Sequence, residues 1–273
     1  MPDEDNGSTT RDIVDAVKGV VEAIPIYDDM VQPAAKELSK GLVTLAKTVN
    51  LALAPLEGVV WGYEKIKKLF IPKVEARLKN VPPEDIVTPK ISVAGPIVEA
   101  LRYTGSEESL SDLYANLLAA SMDKSTASTA HPAFTEIIKQ LTPDEAKIIS
   151  LFPENISMPV IDIRRITKGG QVNGHFNVFI NHSMLGELAG CEHISLVPAY
   201  IDNLIRLGLM EIPSGEAYTA ETLYTPLENS KLANLFKQEI EKDSEYECQF
   251  NRKYAIVTAL GRQFADVCVV AKS

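Results

Sequence analysis

Asn203–Ile212 reads NLIRLGLMEI. A helical pattern over Leu196–Leu207 stops at Gly208, and Leu209–Ile212 runs on as a strand. Tyr254–Phe264, YAIVTALGRQF, reads the other way. A strand over Phe250–Thr258 gives way to a helix over Leu260–Val270, with Gly261 inside it. Upstream, Thr142-Pro143-Asp144-Glu145 has the form of a capping box with proline at the first helical position, so a helix starts there and runs to about Phe152. Met158–Ile166 and Phe176–Ile180 read as strands, with turn signals at Gly169-Gly170 and Asn173-Gly174 between them. Met184–Ala189 is helical, and Leu227–Lys242 is a helix of its own inside an insertion at about 213–248.

Helix, strand, two helices, a two-stranded wing and a closing helix is the winged-helix order. Residues 141–273 resemble that module, and the fold expected for the chain is mainly α: a helical N-terminal region plus a winged-helix-like α+β C-terminal domain. A DNA reader needs Arg, Lys, Asn or Gln at base edges and positive charge beside phosphates. Here the recognition helix offers Arg206 alone as a cation, with Asp202 and Asn203 beside it. Residues 141–273 hold 12 Lys+Arg against 17 Asp+Glu, so this half is acidic where phosphate would have to sit. A packing or protein-interaction module is the expectation.

The first half is different. Residues 1–10 read as a disordered tail and 11–140 as an all-helical region. Thr10 caps a short helix from Arg11 to Ile24, and a second helix starts near Pro33. Between Leu38 and Phe70 ten apolar residues (Leu38, Leu42, Leu45, Val49, Ala52, Leu56, Val59, Tyr63, Ile66 and Phe70) repeat at steps of four and three, which places them on one side of a helix. Pro55 and Pro72 interrupt that helix, which fades by Asn80. Val81–Pro96 is an extended connection and Ile97–Tyr103 a short helix. Ser106 caps a helix to Met122, with Glu107 and Glu108 in its first turn. His131 and Pro132 open one more helix, through Gln140.

The heptad block ends in a basic cluster: Lys65, Lys67, Lys68, Lys73, Arg77 and Lys79. Three readings of the stripe stay open. It forms the protein's own helical core, it pairs with a partner or a second copy, or it lies with its cations on an anionic membrane surface. For the last two, Trp61, Lys65, Lys67, Lys68, Lys73, Arg77 and Lys79 are the candidate partner-facing or membrane-facing residues.

Composition sets outer bounds. A chain that is 45% apolar and 23% charged belongs to the globular class. A net charge of -10 argues against general nucleic-acid binding and also opposes an anionic membrane. Three widely spaced cysteines fit a reducing compartment, and the acidic N-terminus MPDEDNGSTT has no signal-peptide pattern. The longest charge-free piece of the most apolar window, Thr48–Leu56, falls far short of the ~20 residues that span a bilayer. The expected location is cytoplasmic, with peripheral membrane contact as the variant.

Several motifs tempt. Ser121-Met-Asp-Lys124 has the S-x-x-K form of a serine nucleophile, but no partner motif follows at a suitable place. His175, His182, Cys191 and His193 are close in sequence but match no zinc-ligand spacing. Gly169-Gly170 precedes a turn rather than a helix, which speaks against phosphate binding. His131 is better placed to start a helix than to act as a base. No catalytic residue, cofactor or metal is assigned.

Three long phrases carry a family likeness: Pro33–Phe70, containing ALAPLEGVVWGYEKI; Ala94–Asp123, beginning AGPIVEALRYTG; and His131–Ile149, beginning HPAFTEIIKQL. With them the chain resembles the bacterial abortive infection alpha (Abi-alpha) family, from about Pro33 to the C-terminus. The resemblance implies a cytoplasmic protein linked to phage exclusion and supplies no reaction. The function expected is therefore a non-enzymatic phage-defence factor acting through protein or membrane-surface contacts. The alternatives are a winged-helix DNA-binding regulator and an enzyme with an unrecognised site.

Overall fold

The computed structural model describes residues 70–154, 157–169 and 174–270. The tail, the helix expected at 11–24 and the heptad block up to Ile66 lie outside the described residues. The chain divides into two compact units, with the boundary between Gln140 and Leu141 and the second unit running to Val270. Together the units make a mixed α/β chain, with strands only in the second among the described residues.

In the first unit, α1 (Ile71–Leu78), α2 (Ile91–Thr104) and α4 (Ala133–Ile138) gather around α3 (Glu108–Met122). The central helix is buried on nearly all sides because its sequence permits it. Leu110, Leu113, Leu117 and Leu118 form one apolar stripe, while Ala115, Ala119 and Ala120 let neighbours approach the rest of the surface. Phe70, the last residue of the heptad stripe, is buried, as are Val74 and Leu78 one and two turns on.

Two expectations fail here. The connection does not run extended to Pro96. Instead α2 begins at Ile91 and carries Pro96 inside it. A proline there removes one backbone bond. The burial of Val93, Ala94, Ile97, Val98 and Leu101 along one side outweighs that loss. Nor does Ser106 cap α3. The cap position is Glu107, which makes no side-chain capping bond. Met122 and Asp123 tie back to the connection, with the Val87 amide on the Met122 carbonyl at 2.7 Å and a β-bridge between Ile86 and Asp123.

The second unit opens with α5 (Pro143–Ile149). Its capping box is complete: the Glu145 amide donates to Thr142 Oγ1 at 3.2 Å, and the Thr142 amide donates to Glu145 Oε2 at 2.6 Å. The sheet contains β1 (Ser157–Thr167), β2 (His175–His182), β3 (Met210–Glu211) and β4 (Tyr246–Val257), in the order β2-β1-β4-β3 with every pairing antiparallel. The β1–β4 ladder is unbroken from Ser157↔Ile256 to Thr167↔Tyr246. The β1–β2 ladder has two register shifts, and at its second end Asn181 takes a left-handed backbone (φ 55), which asparagine tolerates.

Short helices α6 (Leu185–Ala189) and α7 (Val197–Arg206) lead into β3. The closing helix α10 (Ala259–Cys268) is capped by Thr258, whose Oγ1 accepts from the Gly261 amide at 2.9 Å. Gly261 has to be glycine: a Cβ would stand 2.1 Å from the Leu209 carbonyl oxygen. The insertion is two helices, not one, and ends at Tyr246, where β4 begins. Helix α8 (Thr225–Glu228) stops, Ser230 caps afresh through the Ala233 amide, and α9 (Lys231–Glu241) follows. Tyr224 and Leu227 bury against Ile161 to hold α8 down, and Ala233 and Ile240 bury against Ile163 to hold α9.

Candidate functional site

Of the residues singled out as partner-facing, Trp61, Lys65, Lys67 and Lys68 lie outside the described residues. Lys79 is exposed. Lys73 and Arg77 are partly buried and paired within the first unit. Lys73 Nζ reaches Asp112 Oδ1 at 2.9 Å, Arg77 Nη2 reaches the same oxygen at 3.0 Å, and Arg77 Nε donates to Asn116 Oδ1. Two cations spaced by four on α1 meet an acid and an amide spaced by four on α3, so the charges bind helix to helix. That matched spacing was present in the sequence, but nothing local showed that the two helices would face each other.

The tempting motifs dissolve. Ser121 is buried and donates to the Leu118 carbonyl at 2.6 Å, while Lys124 is exposed. His131 Nδ1 accepts the Ala133 amide, a helix-start role. Among the described residues no three His, Cys, Asp or Glu side chains converge as a metal site. His175 and His193 are exposed, and the Cys191 thiol donates to the Asp144 carbonyl at 3.6 Å.

Asp144 is a structural anchor. It is 4% exposed, and its carboxylate accepts the Glu192 and His193 amides, each at 2.9 Å, the Lys147 ammonium at 2.9 Å and the Tyr200 hydroxyl at 3.3 Å. Burial pushes its pKa up, but these donors outweigh it and hold the carboxyl well below the usual carboxylate range. Burial and the facing Asp144 carboxylate push the Tyr200 hydroxyl up to about 12. The loop Gly190–His193 is thereby pinned to α5, which fixes where α7 starts.

Two polar residues of the candidate recognition helix α7, Asp202 and Asn203, bond to neighbouring elements. Asn203 Nδ2 donates to Glu145 Oε1 at 2.7 Å, and Asp202 Oδ1 accepts from Asn181 Nδ2 at 2.7 Å. Arg206 stays on its own helix, donating through Nη2 to Asn203 Oδ1 at 2.6 Å. Behind Asn181, Lys253 Nζ bridges Asn181 Oδ1 (2.8 Å) and the buried Asp162 (2.6 Å), which also accepts from the Asn181 amide and Asn251 Nδ2. Burial opposes the charge on Asp162, yet Lys253 and the two donors keep its pKa lowered. Of the residues a DNA reader would extend toward bases, Asn203 is bonded to α5 and Asp202 to β2, while Arg206 is exposed and held along its own helix.

Beside this network lies a cavity of about 490 Å³, walled by the end of β2, α6, the start of α7, and α8–α9. Its lining is mainly apolar: Phe179, Met184, Ile194, Val197, Pro226 and Leu232. The α6 wall stands close because residue 186 is glycine, where a Cβ would be 2.3 Å from Val197 Cγ2. The α8 wall is fixed by Arg252, which donates to Glu228 at 2.7 Å and lies over the Tyr224 ring. Within the lining, His182 Nε2 and Ser230 Oγ are 2.9 Å apart. Burial lowers the His182 pKa despite the opposing effect of Glu187, which favours the uncharged imidazole. Glu187 and Lys231, both exposed, mark the rim with opposite charges. Sequence reading singled out His182 only for its closeness to other histidines and missed this site, because the lining comes from the separate segments 179–198 and 226–232.

Residues 62–268 match the abortive infection alpha family. The chain belongs to that family. Abortive infection, a form of phage defence, is thus the function indicated at family level for this Abi-alpha chain. No curated protein matches it. A solved structure of an uncharacterized protein from the hydrocarbon-degrading marine bacterium Alcanivorax borkumensis SK2 is similar at 18% sequence identity. The similarity covers 51% of this chain and 96% of that one, with a TM-score of 0.36. Both Asp144 and the cavity fall inside the matched span of the Abi-alpha chain. Among its described residues no helix is long and apolar enough to cross a membrane.

Proposed function

We propose that this Abi-alpha chain is a non-enzymatic phage-defence factor that works by binding, its second unit serving as the binding module. The observation that carries the reading is the bonding of α7 to neighbouring elements. Asn203 is bonded to Glu145 and Asp202 to Asn181, beside a mainly apolar cavity rather than a basic surface. The strand order β1-β4-β3, flanked by α5, α6, α7 and the closing α10, supports a winged-helix-like module with β2 and α8–α9 added to it. That module would serve protein or small-ligand recognition, since its helix offers Arg206 as its one cation. The charged groups described above are tied into structural networks rather than gathered around a common reacting point, which favours binding over catalysis.

The heptad block with its basic end would carry out the response by self-association or by pairing with a protein partner in the cytoplasm. The pairing of Lys73 and Arg77 with Asp112 removes two cations from the cluster, and this favours a protein contact over an anionic membrane surface. Expression in a susceptible host should lower phage plating, and unchanged plating across a broad phage panel would defeat the reading. Flotation with anionic liposomes separates the two routes. Binding to the vesicles would restore the membrane surface, and its absence leaves the protein contact.

A further inference from the structure

We propose that the cavity between β2, α6, α7 and α8–α9 binds a small uncharged molecule with an apolar body and one hydroxyl or carbonyl head, which the His182–Ser230 pair recognises. The inference rests on reading the second unit as a binding module. A volume of about 490 Å³ falls in the range of small-molecule sites. Walls from five separate elements bound more space than a single side chain of a partner would fill.

The lining selects against charge. Phe179, Met184, Val197, Pro226 and Leu232 provide no compensating ion, so a charged ligand would lose its hydration without a partner. Lys231 and Glu187 oppose each other in sign and both sit exposed, where water and salt screen them. What remains is uncharged: the His182–Ser230 pair, Ser183, whose hydroxyl donates to the Pro159 carbonyl, and Ser195, which lines the cavity between α6 and α7. Ser230 Oγ accepts the Ala233 amide at 3.1 Å and lies 2.9 Å from His182 Nε2, to which its hydroxyl can donate. With Nε2 as the acceptor, the imidazole carries its hydrogen on the other nitrogen, a donor suited to a hydroxyl or carbonyl oxygen. Met184 adds an adaptable thioether wall for a flat or branched apolar body.

The test uses the full chain and the uncharged fluorescent probe N-phenyl-1-naphthylamine at pH 7.5. Saturable enhancement with a micromolar Kd is expected. The substitutions Ser195→Trp and Pro226→Phe fill the cavity from two different walls. Each should weaken binding at least tenfold, with melting midpoints unchanged. Added 1-hexanol should displace the probe, and hexanoate at the same concentration should do so at least tenfold less effectively. Three results would overturn the proposal: no saturable signal, which would leave a partner's side chain as the occupant; equal binding by both filled variants; or equal displacement by hexanoate. None of these bears on phage plating, so the binding site and the defence role stand or fall separately.

Discussion

Replacing Asp144 with asparagine keeps the side chain's size and removes its charge and one acceptor oxygen. In the native chain the two carboxylate oxygens divide the neighbouring donors. Oδ1 takes the Glu192 amide and Lys147, and Oδ2 takes the His193 amide and Tyr200. In the variant one of the two loop amides faces an NH₂ group. Losing a charge-assisted bond removes about 1.5–3 kcal/mol, and leaving that amide unsatisfied adds about 1–3 kcal/mol. The Lys147 pair is partly exposed at its cation and is discounted. Asp144→Asn should therefore destabilise the second unit by roughly 3–5 kcal/mol. At about 4 °C per kcal/mol for a unit of this size, the melting midpoint falls by roughly 12–20 °C.

The pH dependence follows from the depressed folded-state pKa. The unfolded carboxyl binds its proton first, so this stabilisation is complete above the ordinary carboxylate value of about 3.9 and drains away as the pH falls below it. The gap between native and variant chains should be full at pH 7 and narrow progressively below pH ~4. Urea unfolding followed by circular dichroism at a series of pH values reads both effects. A gap under about 1 kcal/mol at pH 7 would refute the anchoring role, and a gap that widens on acidification would refute the sign of the linkage.

Other substitutions test the remaining supports. Lys253→Met strips the buried Asp162 of its nearer ion partner, leaving Arg164 at 3.9 Å, and should cost about 3 kcal/mol, measured by urea unfolding, whereas Asp162→Asn in the same background should recover part of it. Gly261→Ala drives a methyl group into the Leu209 carbonyl and should lower stability by about 1–3 kcal/mol or more, visible as a fall in the thermal midpoint. Thr142→Ala removes the capping bond to Glu145 and should cost about 1 kcal/mol by the same measurement. Arg77→Ala removes the bond to Asn116 and half of the Asp112 pairing. Because Asp112 is partly exposed, its loss should stay near 1 kcal/mol, and a larger effect would mean that the α1–α3 contact depends on it more than its exposure implies.

The sequence by itself determined the local punctuation. Thr142 with Glu145, Gly208 after α7 and the β-branched and aromatic runs of β1 and β4 each act within a few residues, so the stretches that contain them disclosed them. Family membership was legible for the same reason, in unbroken phrases such as HPAFTEIIKQL. The tertiary structure alone decided what those elements do to one another. A Pro96 that reads as a breaker sits inside α2 because one flank of that helix is buried. Lys73 and Arg77 read as surface charge until α3 brings Asp112 to them across 39 and 35 positions. The cavity exists only where α8–α9 close over β2 and α6. Periodicity reports which face of a helix is apolar, but which neighbour meets that face depends on long-range packing that no local pattern encodes.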